Sequence, residues 1–178
     1  STRCSRWGPR GVTGYRRRSD VAAADIDELY GLLVPLQAER LIVPRACVAE
    51  VIAWAPPEAM PGAPSWYAGT VAWNGRSIPV ISFEGTLGQA IPEAGGRTRI
   101  VVFHCLGARL PAGAFGVLTQ GFPQLVRLNP DVVKPDPVRS FPERSPALCS
   151  LRMVNEAALV PDLEYLESLI ADETSVAA

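Results

Sequence analysis

Apolar residues in this chain come mostly in short runs, each closed by proline, glycine or a polar pair, and the clearest helical period follows Pro161. Runs of that length, rich in Val, Ile, Leu and aromatic residues and bounded by turn formers, are strand signals. The pattern predicts strands over 32–36 and 41–44 around a polar turn at 37–40, then extended chain or a short helical turn over 47–54. After a Pro-rich loop at 55–64, two β-type runs at 66–73 and 78–83 flank Asn74-Gly75-Arg76-Ser77. Asn-Gly there predicts a type I′ hairpin, because both central residues of that turn need φ > 0. Pro79 cannot donate to a ladder, which predicts a strand start, an edge or a bulge at that point.

Further strands are expected over 97–105, 112–120, 124–128 and 147–153, with a second Pro-rich loop at 129–146. A closing helix starts at Pro161, with Asp162 and Glu164 suiting its N-terminus and an apolar stripe of Leu163, Leu166, Leu169 and Ile170 to pack on a barrel. A short helical turn is also expected over 22–30, with Ile26, Leu29 and Tyr30 on one side. Many short strands at regular spacing predict an all-β sandwich or barrel. A loose internal echo between 31–52 and 100–126 (apolar run, arginine-bearing turn, apolar run) suggests two similar β units in tandem.

At 178 residues the chain is one domain or two small subdomains sharing a core. No run approaches the roughly 20 apolar residues of a membrane span, and no signal-peptide pattern opens the chain. The expectation is a soluble cytoplasmic protein. Net charge is −1, but Arg3, Arg6, Arg10, Arg16, Arg17 and Arg18 lie in a leader without acidic residues, and the remainder is acidic. Residues 1–29 are expected to be a basic, flexible leader. Such an arm permits nucleic-acid or anionic-membrane contact, while the acidic body argues against a nucleic-acid-binding fold surface.

Catalytic constellations are lacking. No Gly-x-Ser-x-Gly, phosphate loop, Gly-x-Gly-x-x-Gly or His-x-x-x-His occurs. The one histidine, His104, falls within a strand run and is expected to be structural. Cys4, Cys47, Cys105 and Cys149 are too scattered for a zinc site or a disulfide framework; the last three are expected to be small core residues. Neither cofactor nor metal is expected. Glu50 is more informative: in an extended 47–54 it shares a face with Val48, Ile52 and Trp54, as in a partner-binding patch, or simply points to water. Trp66, Tyr67 and Trp73 are open to the same division between core and interface anchors.

These residues together resemble the CheW-like domain, the adaptor of bacterial chemosensory arrays. The resemblance is carried by Leu41-Ile42-Val43-Pro44, Val48-Ala49-Glu50-Val51, Pro64, Gly69, Gly75, Pro79-Val80-Ile81 and Leu87-Gly88. Arg99-Ile100-Val101-Val102, Phe115-Gly116-Val117-Leu118 and the 159–164 segment continue it, over about residues 30–172. The family's Asn and Arg before the hairpin glycine are Ala72 and Asn74 here, and its Asp after Pro-Val-Ile is Ser82. The chain resembles the ChpC or PilI type of adaptor of type IV pilus (twitching) systems.

The resemblance implies a CheW-like domain over 30–178, made of two small SH3-like β-barrels related by a pseudo-twofold, plus the C-terminal helix. It implies no catalysis, and partners in a chemoreceptor cytoplasmic tip and the regulatory domain of a CheA-type histidine kinase. The implied receptor or kinase contacts are Val48, Glu50, Val51, Gly69, Asn74, Gly75, Arg76 and Gly116. A competing reading of the same strand pattern is a β-barrel ligand or flavin carrier, or a split-barrel enzyme.

Overall fold

The computed structural model describes residues 29–176. Eleven strands run as β1 (Leu29–Pro35), β2 (Arg40–Pro44), β3 (Val48–Ala53), β4 (Tyr67–Trp73), β5 (Arg76–Ile81), β6 (Arg99–His104), β7 (Ala114–Thr119), β8 (Gln124–Leu128), β9 (Lys134–Pro135), β10 (Ala147–Arg152) and β11 (Ala157–Pro161). A one-turn helix α1 (Phe83–Thr86) follows β5, and α2 (Leu163–Val176) follows β11.

The strands form two sheets, ordered β8-β1-β2-β11-β10-β9 and β3-β6-β7-β5-β4. Apart from the two-residue β9, the pairings read alike in both orders: antiparallel, antiparallel, parallel, antiparallel. The internal echo thus has a topological basis: β1-β2-β3 corresponds to β6-β7-β8, β4-β5-α1 to β10-β11-α2. The third strand of each half crosses over. β3 pairs with β6 of the second half, and β8 pairs with β1 of the first. These are the two SH3-like barrels of an all-β chain.

Alternation along the strands builds three apolar layers. Leu32, Val34, Leu41, Val43 and Leu159 of the first sheet meet Val101, Phe103, Phe115, Val117 and Ile81 of the second in one shared core. The intervening residues Leu33, Ile42 and Ala158 fill the first barrel, and Val71, Ile78, Val80, Ile100 and Val102 fill the second. Strands buried on both faces read as continuous apolar runs, which is why Leu32-Leu33-Val34 shows no polar alternation. Leu163, Leu166 and Ile170 of α2 enter the shared core, where truncation to alanine typically costs about 2–5 kcal/mol each.

Several expectations change. Leu29 and Tyr30 begin β1 rather than ending a helical turn; the rest of 22–30, the arginine leader and Cys4 lie outside the described residues. Phe83 leaves the strand for α1, because Ser82 caps that turn by accepting from Gly85 N–H at 3.3 Å. Pro161 ends β11, and Asp162 opens the helix, its Oδ1 accepting from Tyr165 N–H at 3.0 Å. Cys149 is exposed on β10, whereas Cys47 and Cys105 are half-buried against the shared core.

Pro79 lies inside β5, between β4 and β7, rather than at a strand start or a sheet edge. Its cross-strand partner Thr70 spends its own N–H and C=O on Glu58, so neither is used toward β5. Pairing of β5 with β7 begins only at Val80. The missing N–H therefore falls where no ladder asks for one, and the position is locally edge-like.

Two buried carboxylates, not among the expected core residues, repeat the twofold. Glu84 of α1 accepts Gln37 N–H at 3.1 Å and the Ser82 hydroxyl at 3.2 Å, tying α1 to the β1–β2 turn. Glu167 of α2 accepts the N–H groups of Leu106, Gly107 and Arg109 at 3.0, 2.8 and 2.6 Å, tying α2 to the β6–β7 turn. Each answers donors that a tight turn leaves unpaired.

Candidate functional site

The β4–β5 hairpin turns on two residues, Asn74 at φ 47° and Gly75 at φ 71°. Positive φ at both is the type I′ requirement, and Trp73 pairs with Arg76 directly behind the turn. The second strand thus starts at Arg76, two residues before the apolar run that signalled it. At the other end of β4, Gly69 sits at a bulge with φ 133°, and a Cβ there would come within 2.2 Å of the Glu58 carbonyl oxygen. Only glycine lets the 55–64 loop approach and hydrogen-bond to Thr70.

β3 carries a bulge between Val48 and Glu50. The extra residue shifts the alternation, so Val48 and Val51 face the shared core while Ala49 and Ile52 face the second barrel's interior. The expectation that Glu50 shares its face with Val48 is corrected accordingly. Glu50 pairs with Val102, and its carboxylate leaves the strand on the Ile52 side, exposed. There Oε2 accepts the indole N–H of Trp73 at 2.8 Å.

Of the eight residues the resemblance singled out, Glu50, Asn74, Gly75 and Arg76 are exposed. Val48, Gly69 and Gly116 are buried, and Val51 is half-buried. Glu50, Gly69 and Gly116 nonetheless lie on one transverse row of the second sheet, running Glu50–Val102–Gly116–Val80–Gly69. Gly116 is the row's narrow point: a Cβ would lie 2.6 Å from Ile100 Cγ2. Arg76 Nη1 donates to the Ala112 carbonyl at 3.0 Å, linking the hairpin to the loop before β7. At Ser82 the helix cap is kept by a hydroxyl, and the same oxygen donates to Glu84.

The aromatic residues divide. Tyr67 is buried, and burial pushes its phenol pKa up. Trp66 packs half-buried against the shared core, edge-on to Tyr67. Trp73 is half-buried over the second barrel, and Trp54 is exposed just beyond β3. His104 is exposed at the end of β6. Burial first, then the neighbouring Glu167 carboxylate, pushes the Cys105 thiol from 9.0 to about 12. Among the described residues, no group of three or more His, Cys, Asp or Glu is placed to hold a metal ion. No helix among them is long and apolar enough to cross a membrane. The arrangement is an exposed surface formed by one edge strand and one hairpin tip, with the Glu50 carboxylate held by the Trp73 indole.

Sequence reasoning named Glu50 and the hairpin but missed the Glu50–Trp73 link and both buried carboxylates. Glu167 left a signal: it interrupts the stripe of Leu163, Leu166 and Ile170, where a surface glutamate does not belong.

No curated protein matches the sequence. Among solved structures, the scaffolding protein TtCheW from Thermoanaerobacter tengcongensis superposes with a TM-score of 0.66 at 16% identity, covering 78% of this chain and 92% of that one. At that identity the likeness speaks for the fold. The family model of the CheW-like domain matches residues 30–168, from the second residue of β1 into α2. With its two crossed barrels and its hairpin, this chain belongs to the CheW-like domain family.

Proposed function

We propose that the protein is a non-enzymatic scaffold that couples the cytoplasmic tip of a chemoreceptor to the regulatory domain of a CheA-type histidine kinase. The observation that carries the reading is the exposed seam of β3 and the β4–β5 hairpin in a chain of this family, with Glu50 held at its centre. TtCheW, the similar structure, is itself a scaffolding protein. Such a complex works in the cytoplasm, and the signalling it serves is chemotaxis or, for adaptors of the ChpC or PilI type, twitching by type IV pili.

Glu50, Asn74, Gly75 and Arg76 form the exposed contact in this reading. Val48, Val51, Gly69 and Gly116 act from behind it by fixing β3 and the hairpin. Asn74 stands where the family carries arginine, so the hairpin tip offers a neutral amide to the partner, with the nearest guanidinium tethered at Ala112.

The test is binding of the purified protein to the receptor tip and to the kinase regulatory domain from the same organism. Saturable binding in the micromolar range or tighter is expected for an interface of modest size. Absence of binding to both at about 100 micromolar, roughly the 5 kcal/mol level, overturns the proposal.

A further inference from the structure

β3 and β4 are the outer strands of the second sheet, and no backbone ladder joins them. A side-chain hydrogen bond does: Trp73 Nε1–H on β4 reaches Oε2 of Glu50 on β3 at 2.8 Å, in an exposed position. An exposed carboxylate is well hydrated and does not require a protein donor to offset burial. The bond therefore has a different consequence. It fixes the direction of a flexible side chain before any partner arrives, so the ordering cost is not taken from the binding free energy.

The indole occupies Oε2, and Oε1 makes no hydrogen bond among the described residues. The arginine nearest in the hairpin, Arg76, is directed at the Ala112 carbonyl. The ion pairs Arg40–Glu156, Arg139–Glu39 and Arg152–Asp136 involve other strands and loops. The result is an oriented negative charge with one open acceptor, on a strand that runs on through half-buried Ile52 toward exposed Trp54. We infer that Trp73 is a positioning residue of the partner surface, presenting Glu50 to a segment that carries arginine or lysine next to an apolar side chain. The inference rests on the proposed role of the β3–hairpin seam.

The experiment is a double-mutant cycle, titrating the receptor tip from the same organism into wild type, Trp73→Phe, Glu50→Ala and the double variant. Phenylalanine keeps most of the aromatic body and removes only the donor. Trp73→Phe is expected to weaken binding about five- to tenfold, the size of the ordering cost of one flexible side chain, and to have no effect in the Glu50→Ala background. The Trp73 indole N–H resonance should shift on titration and also on Glu50→Ala, a readout that tracks the bond itself. If Glu50→Ala weakens binding while Trp73→Phe leaves it unchanged, the positioning role is overturned and the scaffold reading stands. Equal weakening by Trp73→Phe in both backgrounds also overturns it, since Trp73 then acts without Glu50. If Glu50→Ala itself leaves tip binding unchanged, the place of Glu50 in the seam fails, and this inference fails with it.

Discussion

Glu167→Gln isolates what holds the β6–β7 turn. Glu167 is 0% exposed and receives three backbone N–H groups, two at Oε2 and one at Oε1. Glutamine keeps the volume but only one acceptor oxygen. If that oxygen keeps the Leu106 and Gly107 donors, the amide NH2 faces Arg109 N–H, donor against donor. One charge-assisted bond is then lost outright and two become neutral, for a cost of about 2–3 kcal/mol. Against this stands the relief of desolvating one buried charge, which in an apolar site outweighs a poorly made ion contact. Three converging donors are a good set of partners, so the bonds should win. For a chain of this length the loss corresponds to a fall in Tm of roughly 5–10 °C. Urea unfolding followed by tryptophan fluorescence measures it, with an unchanged m-value required for the comparison. A loss below about 0.5 kcal/mol, or a gain, would refute the idea that the carboxylate braces the turn.

Three free thiols are described, and they should separate by reactivity: Cys149, exposed on β10, reacts first with Ellman's reagent at pH 8, while Cys105 lags well behind. Because the folded Cys105 pKa is raised above its unfolded value of 9.0 to about 12, its contribution to stability is fully present below pH 9 and is lost as pH rises toward 12. Cys105→Ala should flatten that part of the alkaline stability curve, and an identical curve would count against the assignment. Gly69→Ala forces a Cβ to 2.2 Å from the Glu58 carbonyl at a φ that L-residues avoid. It should cost more than about 2 kcal/mol in urea unfolding, by displacing the 55–64 loop; a near-neutral result would mean the loop is not held at Glu58.

The elements that could be read from sequence are those whose signal is local. The Asn74-Gly75 turn, the 97–105 strand and the stripe of α2 follow from turn chemistry and periodicity within a few residues. What escaped depends on distant partners. The β3 bulge exists only relative to Val102 and Phe103, so alternation within 47–54 put Val48 on Glu50's face. α1 is one turn long and apolar at Phe83, which makes it look like the end of β5. β9 has two residues and is a strand only because Leu151 and Arg152 lie beside it. Glu84 carries no local signal and Glu167 only its place in the apolar stripe, because their donors belong to turns 47 and about 60 positions away. The candidate site was readable as a motif, but the Glu50–Trp73 bond within it joins two strands at opposite ends of one sheet order.

The strand order also bears on how the chain is made. β3 to β7, residues 48–119, are consecutive and form the whole of the second sheet. The first sheet takes β1 and β2 from one end of that stretch and β8 to β11 from the other. On the ribosome, the second barrel has all its strands once Thr119 has cleared the exit tunnel. The first barrel must wait for β11, leaving β1 and β2 as an uncovered apolar hairpin throughout translation of the middle of the chain. A nascent chain arrested far enough downstream for Thr119 to have just cleared the tunnel therefore holds every strand of one barrel, with the other still wanting its second half.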